Sequence, residues 1–80
     1  MVTIKIATDN AAFHDDNGDP SAYAQTLEVA RILRKLTHEL ETGLYTGNHV
    51  YVETLMDVNG NRVGEFIMDP PIKEDSHEKA

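Results

Sequence analysis

Residues 50–68 read VYVETLMDVNGNRVGEFIM, and this stretch decides the fold. Two runs rich in β-branched and aromatic residues flank Asn59-Gly60, the favoured central pair of a type I′ turn, so the segment predicts an antiparallel hairpin. A turn centred there sets Val58 opposite Asn61, Asp57 opposite Arg62, Met56 opposite Val63, Thr54 opposite Glu65 and Val52 opposite Ile67. Opposed residues share a face of a sheet, which makes Val52, Met56, Val63 and Ile67 the expected inner surface. Tyr51, Glu53, Leu55, Phe66 and Met68 then lie outside. That face is too apolar for solvent, and a second copy of the chain or another partner is expected to cover it.

Working outward, Val2, Ile4 and Ile6 alternate with Thr3, Lys5 and Ala7, the period of a half-buried strand. Between that strand and the hairpin, Val29, Ile32, Leu33, Leu36 and Leu40 recur at helical spacing, with Tyr23 and Leu27 extending the stripe. Ser21 is the expected N-cap. Gly43 is expected to end the helix in the left-handed conformation, with Leu44 making the apolar contact of the stop. Strand, helix, strand, strand makes an α+β domain over residues 1–71, a single helix packed on a three-stranded antiparallel sheet with the third strand in the middle. Asp69-Pro70-Pro71 stops the sheet, and residues 72–80, IKEDSHEKA, are expected to form a flexible charged tail.

Eighty residues with 40% hydrophobic content sustain one core, not two. The chain has no cysteine, which excludes disulfides, thiolate nucleophiles and cysteine-ligated zinc. The N-terminus has a strand's rhythm and not that of a signal peptide, and no apolar run reaches the roughly 20 residues of a membrane span, so the expected location is the cytoplasm. Fourteen acidic against seven basic residues give a net charge of −7 and a pI near 4.8. Such a surface repels phosphate backbones and suits either plain solubility or a basic protein partner.

Residues 8–19, TDNAAFHDDNGD, raise the question of a metal site. Asp15, Asn17 and Asp19 match the first ligands of a calcium loop, but Pro20 stands where the sharp-turn glycine belongs and Thr26 where the bidentate glutamate belongs. A looser set of His14, Asp15, Asp16 and Asp19 is the remaining metal reading. The favoured one is an exposed turn capped by Asx side chains, with Asp9 or Asn10 capping the exit from strand one and Phe13 returning to the core. His38-Glu39-Leu40-Glu41-Thr42 lacks the second histidine of a zincin helix, and no phosphate loop, nucleophile elbow or triad order appears. No cofactor, metal or catalytic residue is therefore expected. Arg31, Arg34, Lys35 and His38 share one helix face, a stripe fit for nucleic acid unless Glu28 pairs with Arg31 and Glu39 with Lys35.

Asp9 to Phe13 (DNAAF), Glu28 to Arg34 (EVARILR) and Asp57 to Phe66 (D-x-NGN-x-VG-x-F) together resemble a group of small acidic proteins of bacteriophages and prophages. His14 to Ser21 and Gly43 to His49 depart from that pattern. The resemblance implies a fold and carries no catalytic residue. It also implies a role: small acidic phage proteins often block host machines stoichiometrically, as anti-CRISPR proteins and DNA mimics do. The expectation is an anti-defence inhibitor that binds a CRISPR effector complex in the host cytoplasm and blocks target-DNA binding. Asp15, Asp16 and Asp19 in the loop and Glu53, Asp57 and Glu65 on the hairpin are the expected contacts. The rival expectations are a small regulatory nucleic-acid-binding protein using Arg31, Arg34 and Lys35, and a structural accessory that dimerises through the outer face of the hairpin.

Overall fold

The computed structural model describes residues 1–71, so the expected tail at 72–80 lies outside the described residues. Strand β1 (Val2–Ile6) leads through a single 3-10 turn (Ala11–Phe13) to helix α1 (Ala22–Gly43), then to strands β2 (Tyr51–Met56) and β3 (Arg62–Met68). The sheet is antiparallel with order β1-β3-β2, which places the third strand in the middle. Phe13, Ile32, Leu36, Leu55, Val63 and Phe66 form the core between helix and sheet.

The hairpin register follows the expected one from Val52↔Ile67 through Leu55↔Gly64 and slips only at Met56. Met56 pairs with Arg62 instead of Val63, leaving Val63 as the extra residue of a bulge. A type I′ turn needs positive φ at both central residues, whereas only Gly60 has it here, at 84°. The Asp57 carboxylate explains the choice: its Oδ1 accepts from the Asn59 and Asn61 amides at 2.9 and 2.8 Å, wrapping the turn one residue wider.

Val63 is buried as expected, but otherwise the two faces are the reverse of the expected ones. Leu55 and Phe66 are buried with Tyr51 and Met68 packed beside them, while Val52 and Met56 are exposed. The third strand decides this. Ile4 and Ile6 lie opposite Phe66 and Gly64, continuing the apolar face, whereas Thr3 and Lys5 lie opposite Ile67 and Glu65 and make the other face mixed. The bulge turns Val63 inward as well. Leu55 and Phe66 thus meet the helix of their own chain and offer no dimer face.

Helix α1 begins where expected, with the Ser21 hydroxyl accepting from the Ala24 amide at 3.2 Å. It ends one residue later than expected. Gly43 stays helical, and Leu44 takes the left-handed conformation at φ 45°. Reversal at Leu44 lets Tyr45 stack on Tyr51 at 5.0 Å and bond both the amide and the carbonyl of His49 through its hydroxyl. Tyr23 and Leu27 stand exposed, so the buried stripe is narrower than the sequence suggested.

Gly64 is required by close approach. A Cβ there would collide with the Lys5 carbonyl of the neighbouring strand, so β1 can lie against the bulge only because position 64 has no side chain.

Candidate functional site

Three segments converge on one polar cluster. Asn10 accepts from the Ala12 amide through Oδ1, starting the 3-10 turn that buries Phe13 to 1% exposure, and donates through Nδ2 to Asp57 Oδ2 at 2.9 Å. Asn61 Nδ2 donates to the same oxygen at 3.3 Å. Asp57 is only 4% exposed. Burial pushes its carboxyl up, but the hydrogen bonds from Asn61, Asn10 and Asn59 outweigh burial and hold it below the usual carboxylate value.

Glu28 is the second buried carboxylate, at 7% exposure. It accepts two parallel bonds from Arg31, each of 2.9 Å, and a third of 2.9 Å from the Val58 amide. Arg31 also donates to the Met56 carbonyl at 3.1 Å. The hydrogen bond to Glu28, reduced by burial, raises the Arg31 guanidinium further above its ordinary range. Helix and hairpin are thereby tied at the turn. The DNAAF, EVARILR and D-x-NGN-x-VG-x-F segments supply Asn10, Glu28, Arg31, Asp57 and Asn61, so this motif chemistry is structural.

The acidic loop repeats the hairpin turn. In DDNGD (15–19) the Asp15 Oδ1 accepts from the Asn17 and Asp19 amides, Gly18 donates to the Asp15 carbonyl, and Asp15 donates to the Asp19 carbonyl. In DVNGN (57–61) Asp57, Asn59, Gly60 and Asn61 make the same four bonds. Gly18 and Gly60 have φ of 83° and 84°. One five-residue turn is used twice, a repeat visible in the sequence and missed there because only the second copy was read as a turn of defined type. Asp15 thus caps its own backbone. Among the described residues, no three of the side chains that bind metals gather into a cluster.

The other expected contacts do not form one surface. Asp16 and Asp19 are exposed on the loop. Glu53 lies on the helix side of the sheet and accepts from the Tyr51 hydroxyl, whereas Glu65 lies on the opposite side and pairs with Arg62 at 3.2 Å. Asp57 faces inward and cannot touch a partner. The basic stripe is also divided: Arg31 is held by Glu28 and Lys35 by Glu39 at 2.8 Å, leaving Arg34 exposed on the helix.

Between α1 and β2 runs a cleft of about 170 Å³ lined by Ile32, Lys35, Leu36, Glu39, Glu53 and Leu55 among others. It is smaller than the ~300–1,000 Å³ of typical small-molecule sites. The two buried carboxylates, Glu28 and Asp57, do not line it. No helix among the described residues is long and apolar enough to cross a membrane. No family model matches the chain, and neither a curated protein nor a solved structure matches it.

Proposed function

We propose that this chain is a binding protein and not an enzyme, acting as a stoichiometric anti-defence inhibitor that docks its acidic surface on the basic, nucleic-acid-handling surface of a host complex. Its most concrete form is an anti-CRISPR protein that blocks target-DNA binding by a CRISPR effector in the cytoplasm of the host bacterial cell. The phage setting rests on the resemblance of the three motif segments. The observation that carries the docking chemistry is the distribution of paired and unpaired charge. Arg31, Lys35 and Arg62 each hold a glutamate of their own chain, while Asp16 and Asp19 extend from a rigid turn with carboxylates that accept no hydrogen bond among the described residues. A net charge of −7 attracts such a complex from a distance, and a pre-formed turn loses little entropy on docking.

The contact set narrows to Asp16 and Asp19, with Asp15 as the residue that shapes the turn. The test is protection of phage in hosts carrying defined CRISPR types, together with pull-down of the effector by the purified protein. Asp16→Lys with Asp19→Lys should abolish pull-down at low salt and lose less at high salt, because exposed charges are screened within about 10 Å at 0.1 M. Binding of free DNA or RNA in a gel shift, or full protection by the charge-reversed variant, refutes the proposal. The nucleic-acid-binding reading has no observation in its favour, since two of its three cations hold glutamates.

A further inference from the structure

We propose that two copies of this chain associate through the free edge of β1, joining their sheets into one six-stranded antiparallel sheet. Asp69 donates to the Met1 carbonyl and Ala7 donates to the Val63 carbonyl, so the odd residues of β1 bond to β3. In an antiparallel ladder successive residues alternate, and the N–H and C=O groups of Val2, Ile4 and Ile6 therefore point away from β3. Among the described residues β1 is an outer strand of the sheet, so these groups lie along an edge that no described strand covers.

The side chains on that edge are open too. Val2 and Ile4 are on the helix side of the sheet yet are 54% and 45% exposed. The flank of α1 away from β2 adds Val29, Ala30 and Leu33 to the same side, with Leu33 exposed. The other outer strand is guarded. Arg31 from the helix occupies the outward Met56 carbonyl, and Glu53 puts a carboxylate on that strand.

A second copy is the occupant because β1 is complementary to itself. Antiparallel pairing centred on Ile4 sets Ile4 against Ile4 and Val2 against Ile6, so every outward N–H meets an outward carbonyl and the helix side gains only apolar pairs. On the other side Thr3 meets Lys5 and no two lysines face each other. Charge selects the same edge. Each copy carries −7, but residues 1–7 contain no acid and include Lys5, making this the part of the sheet where two such molecules can approach. Natural edges are usually protected by charge, proline or a bulge, and β1 carries one lysine, turned to the opposite face.

The test measures mass in solution by sedimentation from about 1 μM to about 1 mM, the range in which a small interface of this kind dissociates. The full chain should show a monomer–dimer equilibrium. Ile4→Pro removes only an outward N–H, which an edge strand tolerates, and should give a folded monomer with unchanged helical circular dichroism. Thr3→Glu should tighten the dimer severalfold by facing Lys5 of the other copy, and Thr3→Lys should weaken it severalfold. A monomer throughout the range overturns the proposal, as does a dimer indifferent to Ile4→Pro. Thr3→Glu and Thr3→Lys moving the equilibrium in the same direction overturns the Ile4-centred register.

Discussion

Replacing Glu28 by glutamine keeps the side chain's volume and removes its charge, which isolates what the buried carboxylate does. In the native protein its two oxygens accept three hydrogen bonds, two from Arg31 and one from the Val58 amide. A glutamine carbonyl can replace one oxygen. Its NH2 must then replace the other, donor facing donor, and the remaining bonds lose their charged acceptor. A hydrogen bond to a charged group contributes about 1.5–3 kcal/mol, and a buried donor left unpaired costs about 1–3 kcal/mol. Arg31 is one third exposed, with 32% of its side chain open to solvent, so the ionic part is discounted. The expected loss is about 2 kcal/mol. For a domain of this size the urea m-value is about 1 kcal/mol/M, so the unfolding midpoint should fall by about 2 M with the slope unchanged. Combined with Arg31→Met in a double-mutant cycle, the pair should show a coupling of about 1 kcal/mol. A midpoint shift below about 0.5 M, or a coupling indistinguishable from zero, refutes the claim that this cluster ties the hairpin to the helix.

The two D-x-N-G turns supply a matched pair: Gly18→Ala and Gly60→Ala meet open space and differ from native only in backbone strain, so each should cost about 1 kcal/mol in urea unfolding. A difference of more than twofold between them would show that the turns are not equivalent. Gly64→Ala should cost more than either, because the added Cβ strikes backbone, and amide exchange should be fastest along β1 in that variant. Leu44→Gly should stabilise by about 0.5–1 kcal/mol, the left-handed strain of leucine less the entropy of the unfolded glycine, read as a rise in melting temperature. Asp57 has a folded pKa held below its unfolded value, so its contribution is full above the ordinary carboxylate range and is lost as pH falls through the lowered folded value. Urea midpoints measured from about pH 6 to about pH 2 should fall less steeply for Asp57→Asn than for the native chain.

The elements were legible in the sequence because periodicity is a local property. Alternation in VTIKI, the Leu and Ile spacing after Ser21 and the two runs around Asn59-Gly60 each mark an element without reference to the rest of the chain. The inward face was not legible from the hairpin alone. Two strands left Val52 and Ile67 as plausible a core as Leu55 and Phe66, and β1 broke the tie with Ile4 and Ile6 on one side and Thr3 and Lys5 on the other. The bulge at Val63 was hidden for a related reason, since it follows from an aspartate side chain widening the turn. The return of Phe13 to the core was read correctly from local chemistry, and of the two caps offered, Asp9 and Asn10, the structure uses Asn10. Asp57 was taken for a surface contact because it is an acidic side chain beside a hairpin turn, a place where carboxylates are usually solvated. What buries it is Asn10, 47 residues away.

That single carboxylate operates on two scales of chain length. Oδ1 serves Asn59 and Asn61, while Oδ2 also serves Asn10, across separations of at most 4 residues on one side and 47 on the other. Closing the longer loop costs about 2 kcal/mol more chain entropy than closing the shorter. The turn is therefore the inexpensive contact to form during folding, and the arrival of Asn10 is the costly one. Asp57 Oδ2 is thus one of the points, beside the β1–β3 ladder, at which the amino-terminal segment meets the hairpin, and the only one of its own contacts that waits on a distant part of the chain.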